Sequence, residues 1–370
     1  VKILVVGRRF DRVVGGVERM AVTLVNALAA RGHDVDLMTW DLAGAETFYP
    51  LDSRVSWQRL NMGDPARKAA PGLRLRRLKA MRGYLQRVSP DVIVAFQEGP
   101  FLAVAVSALG LGIPVVAAER NAPHRFEHLR AGRYRNLIFQ SFRLAARVTV
   151  QLESYRDCYP AYLRRRVVAI PNPVNPAQSF ALPGDQDANP KVLLSIGRLS
   201  YQKNFPVLLK AFAALASEFP DWHLVILGEG EQEASLRALA SRLDISDRVE
   251  LAGACRDVER YYVSSHLFCL PSLWEGFPNA LAEALAHGLP AVGFAGCAGV
   301  NELIHDGETG RLAPGNGSPE SLIGALRHLM ADGKARSRFG AAAVSSMCAY
   351  SPEGIFDRWD TFLAGVCSTR

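Results

Sequence analysis

What most limits the folds open to this chain of 370 residues is a regular alternation of short apolar runs with helical patterns, in two series separated by a proline-rich break. Short apolar runs bounded by Gly or polar residues read as buried strands, and strands that alternate with amphipathic helices build parallel α/β units. Strands are predicted over 2–6, 34–39, 55–59, 92–95, 115–118, 148–150 and 167–170 in the first series, and over 192–196, 223–227, 249–251, 266–270 and 291–294 in the second. Helices of the second series are predicted over 206–217, 231–243, 279–287, 300–304 and 320–330. Between the series, Pro171-Asn172-Pro173-Val174-Asn175-Pro176 and the polar stretch to Pro190 read as an interdomain linker. A last helix over 351–367 opens on Ser351-Pro352-Glu353 and carries Ile355, Phe356, Trp359, Phe362 and Leu363 at helical spacing, a core-facing stripe. The expected organisation is a Rossmann-like domain over 1–171, a second over 172–350 and a terminal helix over 351–370, and the length suffices for two cores.

Composition excludes several classes. At 49% hydrophobic and 21% charged residues the chain is of soluble globular type. The 18 uncharged residues from Phe101 to Ala118 reach the lower bound for a membrane span, but Gly110, Gly112 and Pro114 interrupt them, which predicts a helix, a turn and a buried strand. Six scattered cysteines without a Cys-x-x-Cys pair argue against zinc and for reduced thiols, and a start directly on a strand argues against a signal peptide, so a cytoplasmic location is expected. Up to Phe180 the chain has 27 Lys and Arg against 14 Asp and Glu, whereas the remainder has 16 against 22. Much of that excess lies at Arg67, Lys68, Arg74, Arg76, Arg77, Lys79, Arg82 and Arg87, mostly on a predicted helix over 72–88 whose apolar members are Leu73, Leu75, Leu78, Met81 and Leu85. Such a helix either packs on a sheet with a solvated basic face or rests on an anionic membrane; Arg164-Arg165-Arg166 and the imbalance between the halves favour a peripheral position at the inner face of the cytoplasmic membrane. No basic-aromatic reader motif is present, so nucleic acid is not an expected partner.

The chemistry gathers at strand ends. In an open α/β sheet ligands bind at the carboxyl edge. Ser195-Ile196-Gly197-Arg198 ends one strand, and Lys203 follows five residues after Arg198; Arg by fork hydrogen bonds and Lys as a point charge suit a diphosphate. Leu227-Gly228-Glu229-Gly230 and Ala252-Gly253, then Cys255-Arg256-Asp257-Val258, end two more. The stretch Ser272-Leu273-Trp274-Glu275-Gly276-Phe277-Pro278-Asn279 leads from a strand into a helix that holds Glu283, with Pro278 placed in the first turn, where a proline is tolerated. A helix N-terminus is an anion site, and Gly276 lets a ligand approach the backbone. Gly15-Gly16 opens a helix after the first strand in the same manner, without the Gly-x-Gly-x-x-Gly spacing of a dinucleotide turn.

This ordered set, with Asn301-Glu302-Leu303-Ile304, Gly307 and Gly310, resembles the retaining glycosyltransferases of family 4 along essentially the whole chain. The resemblance implies a GT-B fold, α/β with two Rossmann-like domains whose parallel sheets face across a cleft, and a terminal helix that returns to the first domain. It implies a nucleotide-sugar donor, UDP-linked, with no cofactor and no metal. By position, Arg198 and Lys203 match the cations on the donor diphosphate, Glu283 the acid on ribose hydroxyls, and Glu275 the acid beside the donor sugar. Gly197, Gly228, Gly276, Phe277, Pro278 and Asn279 match the backbone around sugar and phosphate, Arg256 and Val258 the base pocket, and Gly15 and Gly16 the first domain's approach to the diphosphate. One departure is that Ala118-Glu119-Arg120-Asn121 stands where many members carry a histidine. It looks like the Ser-Glu-Arg-Asn motif of a subgroup associated with surface-polysaccharide or glycan assembly, which makes Arg120 and Asn121 candidates for acceptor or phosphate contact.

The expected activity is therefore transfer of a sugar to a saccharide acceptor or to one linked to a polyprenyl diphosphate, with Glu275, Arg198 and Lys203 as the catalytic set. Two alternatives stay open at this point: a nucleotide-sugar 2-epimerase on the same architecture, and a nucleotide-sugar-binding protein without catalysis.

Overall fold

The computed structural model describes residues 1–185 and 187–368. In chain order its first series runs β1 (Lys2–Val6), α1 (Gly16–Ala30), β2 (Asp34–Thr39), β3 (Ser56–Arg59), α2 (Pro71–Val88), β4 (Val92–Phe96), α3 (Glu98–Ser107), β5 (Val115–Ala118), the short α4 (Arg125–His128), α5 (Arg135–Ser141), β6 (Arg147–Val150), α6 (Ala161–Arg164) and β7 (Val167–Ala169). The second runs β8 (Lys191–Ile196), α7 (Phe205–Leu215), β9 (Trp222–Leu227), α8 (Glu233–Arg242), β10 (Val249–Gly253), α9 (Glu259–Val263), β11 (Leu267–Leu270), α10 (Asn279–Ala286), β12 (Ala291–Phe294), α11 (Val300–Leu303), β13 (Gly310–Ala313), α12 (Pro319–Ala331) and α13 (Gly333–Met347), and α14 (Pro352–Ser368) follows. Two compact units result: Val1–Asn172 with the chain from Glu353 onward, and Pro173–Pro352.

The first unit is built on a seven-stranded sheet of order β3-β2-β1-β4-β5-β6-β7 and the second on a six-stranded sheet of order β10-β9-β8-β11-β12-β13. Every pairing is parallel. A parallel sheet must be covered on both faces, and β4 accordingly has all five residues buried. Strand order reverses between β1 and β4 in the first sheet and between β8 and β11 in the second, and a crevice opens at the carboxyl ends of such a pair.

The stripe on α14 lies in the first unit's core: Ile355, Phe356, Trp359, Leu363 and Val366 are buried together with α1 and β1, β2 and β4. Burial of each side chain stabilises by about 1.5–3 kcal/mol. Polar contacts set the helix's register, with Arg358 Nη2 donating to the Ala169 carbonyl at 2.8 Å and His33 Nε2 2.8 Å from Asp360 Oδ1.

Several sequence expectations change. β13 and α13 escape the apolar-pattern reading because Gly310-Arg311-Leu312-Ala313 is a weak edge sequence and α13 is rich in Arg, Ser and Gly. Gly340 in α13 is required by packing: a Cβ there would collide with the Gly288 carbonyl. Leu75 of α2 is exposed rather than core-facing. Arg77 is buried and not on a solvated basic face; its guanidinium donates to the Met62 carbonyl at 2.6 and 3.0 Å. Arg82 likewise donates to the carbonyls of Ser107 and Leu109. Among the described residues no helix is long and apolar enough to cross a membrane.

Candidate functional site

The reversal of strand order in the second sheet makes β8 and β11 neighbours, so the segments after them stand side by side although 72 residues separate Lys203 from Glu275. After β8 the chain turns at Gly197 and approaches the loop after β9 closely. The Gly197 N–H donates to the Leu227 carbonyl and the Leu199 N–H to that of Glu229, both at 2.9 Å. A Cβ at Gly228 would collide with the Gly197 carbonyl and one at Gly230 with the Leu199 backbone, so both glycines are required by the approach of the two loops. The Lys203 side chain lies over Gly197, where an added Cβ would stand 2.8 Å from its Cε.

Lys203 Nζ donates to Glu275 Oε1 at 2.5 Å, and Ser272 Oγ donates to the same oxygen at 2.6 Å. The carboxylate side chain is 6% exposed and the ammonium side chain 16%. Removing one partner of such an enclosed pair leaves the other charge without compensation, a cost of about 3–5 kcal/mol. The two loops are further tied by Gln202 Nε2 donating to the Trp274 carbonyl at 2.7 Å and the Leu273 N–H donating to the Gln202 carbonyl at 2.9 Å. Asn316 Nδ2 donates to the Leu273 carbonyl from the far side at 2.9 Å. Cys297 is buried nearby; burial, and after it the Glu275 charge, pushes its thiol up. None of Ser272, Gln202, Asn316 and Cys297 stood out as a site residue in the sequence, and for Ser272 the only signal was its place three residues before Glu275.

Arg198 differs from Lys203. It is exposed at the sheet edge, and its guanidinium has no hydrogen-bond or ionic partner among the described residues. Of the two cations expected on a diphosphate, Lys203 already balances Glu275, while Arg198 carries charge without an ionic partner among the described residues.

Pro278 is the residue before α10, not inside its first turn, with φ −80° and ψ 74°. The Asn279 N–H is turned back to the Phe277 carbonyl at 2.9 Å, so the first-turn donors directed outward are those of the following residues. Glu283 lies one turn further on and accepts from Tyr262 Oη at 3.0 Å; Tyr262 stacks on His287 at 4.8 Å. Val258 precedes α9, which carries Tyr262, and Arg256 is exposed just before it. The structure therefore brings Gly197, Arg198, Lys203, Gly228, Glu275 and Gly276 to the β8–β11 edge and sets Glu283 on α10 behind it.

The first unit answers differently. Arg120 is 5% exposed and its guanidinium is engaged within its own unit, which counts against its candidacy for phosphate or acceptor contact. Its guanidinium donates to the Ile170 carbonyl, Asn172 Oδ1 and Thr149 Oγ1 at 3.2–3.5 Å. It also lies 5.3 Å from the Trp359 ring and 5.6 Å from Phe96, and burial lowers it to about 10. Asn121 donates from its N–H and its side chain to Glu119 Oε1, so it caps its own loop. Glu119 is buried against Arg125, and burial raises its carboxyl. At Gly15, a Cβ would collide with Glu18 Oε2: the chain's own carboxylate sits at the α1 N-terminus, which weakens Gly15 and Gly16 as a phosphate cradle.

Comparison with known proteins agrees with this architecture. The family model described as Glycosyltransferase Family 4 matches residues 14–178, and the one described as Glycosyl transferases group 1 matches residues 183–345. An uncharacterized glycosyltransferase of Haemophilus influenzae is 30% identical over 84% of this chain and 85% of its own. A Campylobacter jejuni enzyme is 27% identical over 80% of this chain and 81% of its own; its name makes it an alpha-1,4-N-acetyl-D-galactosaminyltransferase for a GalNAc-alpha-(1->4)-GalNAc-alpha-(1->3)-diNAcBac-PP-undecaprenol. The solved structure of Anabaena HepE in complex with UDP and glucose superposes with a TM-score of 0.76 at 17% identity, over 98% of this chain and 99% of that one.

Proposed function

The chain belongs to glycosyltransferase family 4, with its GT-B fold, and from that premise we propose that it transfers a sugar from a UDP-linked donor to a saccharide carried on a polyprenyl diphosphate, in the assembly of a surface glycan. The observation that carries the donor side is the pairing of Lys203 with Glu275 beside an exposed Arg198 that has no partner among the described residues, at the switch point of the second sheet. When the bond from the anomeric carbon to the diphosphate breaks, negative charge develops on the phosphate oxygens. In this reading Arg198, Lys203 and the first-turn N–H groups of α10 stabilise that charge, and charge stabilisation of this kind supplies the largest part of many rate enhancements.

In this reading Glu275 holds the Lys203 ammonium with one oxygen and donor-sugar hydroxyls with the other, and Glu283, oriented by Tyr262, holds the ribose. Arg256 and Val258 border the base. The protein's own cations do the work of a metal ion, and the anomeric configuration is retained, the acceptor hydroxyl arriving on the face that the diphosphate leaves. The acceptor class has two supports: the Campylobacter relative's name, and the exposed Arg67, Lys68, Arg74 and Arg76 of the basic first unit, which also suit an anionic membrane surface.

Thermal melts with UDP, GDP and ADP sugars test the donor half. A UDP sugar at 100 times its Kd is expected to stabilise by about 2.7 kcal/mol, and the shift should vanish in Arg198→Ala. Melts in which no nucleotide sugar moves the wild type, or in which Arg198→Ala shifts as far as wild type, would sink the reading.

A further inference from the structure

At the amino end of the second sheet, away from the edge that gathers the donor residues, an apolar concavity of about 470 Å³ lies between α13 and the segment over 180–185, which runs towards β8. The backbone of that segment is pinned. Arg336, 1% exposed and 5.0 Å from the Trp222 ring, donates from Nε to the Pro183 carbonyl at 2.6 Å and from Nη1 to the carbonyls of Leu329 and Met330 at 2.7 and 2.9 Å. The Ala181 N–H donates to the His287 carbonyl at 2.9 Å, and a Cβ on Gly184 would collide with Ser337 Oγ, so the segment lies directly on α13.

Alternate residues of the segment face opposite ways. Ala181 and Pro183 are buried, whereas Phe180 is 50% and Leu182 73% exposed, the latter the highest value for a large apolar side chain among the described residues. Because the backbone is fixed, these two side chains form a preorganised apolar ridge, and little freedom is lost when something covers it. The helix side of the groove is shallow, lined by Ser337, Gly340, Ala341 and Val344. A ridge beside a trough on one surface is self-complementary, which is what a two-fold contact between identical chains requires. The charges follow the same division. The segment's side carries Asp185 and Asp187, the helix side carries Lys334 and Arg338 near the start of α13, all four are exposed, and none of them forms an ion pair among the described residues.

A two-fold axis along the groove lays the segment of one copy over α13 of the other. That operation seats Phe180 and Leu182 on the small side chains of the facing helix and brings Asp185 against Lys334 and Arg338, twice in each pair. An anionic membrane is repelled by the two acids, and a small apolar ligand in the trough leaves the ridge in water. We propose that this face is the interface of a homodimer, its occupant a second copy of this chain. The patch is smaller than the about 20–30 residues a side of a standard interface, so the dimer dissociates on dilution. Since the face lies at the amino end of the sheet, the carboxyl edge with Arg198, Lys203 and Glu275 stays open in both copies, and the inference does not depend on the transferase reading.

Sedimentation velocity of the full chain over a dilution series tests it, with circular dichroism to check that each variant is folded. The weight-average mass should rise from that of one chain towards that of two as concentration increases. Leu182→Glu, at an exposed position that folding tolerates, should raise the dissociation constant at least about 100-fold, because a two-fold contact loses two leucines at once. Asp185→Lys, and separately the double variant Lys334→Glu with Arg338→Glu, should each weaken self-association about 10-fold or more by setting like charges face to face. An equimolar mixture of these two variants should associate more tightly than either alone, since each reversed flank then meets its opposite. A mass that stays at one chain throughout the series overturns the proposal, whatever small molecule the trough holds. So does a dimer that Leu182→Glu leaves intact, which lies on another face, and so does a mixture of the charge-reversed variants that associates no better than its components.

Discussion

Arg120 and Arg198 stand at equivalent places, each two residues beyond the end of a parallel strand, β5 and β8 respectively. Arg198 is exposed with no partner among the described residues, and Arg120 is enclosed between Phe96 and Trp359 with donors on Ile170, Asn172 and Thr149. The difference comes from α14, whose Trp359 is brought over the first sheet from nearly 240 residues further along the chain. Position at a strand's carboxyl end makes a cation a candidate ligand, and what later covers that end decides whether it stays one.

The largest test of this contrast is functional. Arg198→Ala and Glu275→Ala should each lower transfer from a UDP sugar by about 10²–10³, measured as turnover, while Arg120→Ala leaves UDP affinity at the wild-type value by calorimetry. Comparable losses of UDP affinity in Arg120→Ala and Arg198→Ala would break the comparison. Next in size, Trp359→Ala should cost about 3–5 kcal/mol, seen as loss of amide-exchange protection in β1 and β4 with the second unit unaffected. Arg120→Ala should cost about 1–3 kcal/mol by leaving buried acceptors unpaired; an unchanged urea midpoint would show that its bonds add nothing.

A smaller effect sharpens the second unit's side. Tyr262→Phe removes the hydroxyl that orients Glu283 and should weaken UDP binding by about 1 kcal/mol, near fivefold, with turnover at saturating donor retained; a collapse of turnover would place Tyr262 nearer the reacting sugar. Smallest is a pH effect at His266. Its Nδ1 accepts the Val192 N–H at 3.1 Å, and burial holds the imidazole below its ordinary 6.5. The unfolded chain thus takes up the proton first, so this stability is present above pH 6.5 and is lost as pH falls through 6.5 towards the folded value. Denaturation midpoints above and below that pH should differ more for wild type than for His266→Asn.

Much of the second unit was legible. Gly197, Gly228 and Gly230 mark strand ends because two loops approach there too closely for a side chain, a local requirement that leaves a local trace. Glu275 and Lys203 read as candidate site residues, but not as partners, because their contact follows from the strand order and no spacing in the sequence encodes that. Arg77 read as one more solvated cation because its covering, the loop over 62–69, has no pattern of its own.

The sequence by itself determined two parallel α/β series and the glycine-marked strand ends, since strand and helix periods and steric demands at glycine are written in neighbouring residues; the stretch to Pro190, read as a linker, instead belongs to the second unit from Pro173 onward. Only the tertiary structure decided that Glu275 faces Lys203, that Trp359 closes over Arg120, that Glu18 fills the α1 N-terminus, and that the segment over 180–185 holds Phe180 and Leu182 out beside α13. Those are properties of pairs of surfaces. Whether a charge is screened, paired or buried depends on which distant segment comes to lie against it, and packing alone settles that.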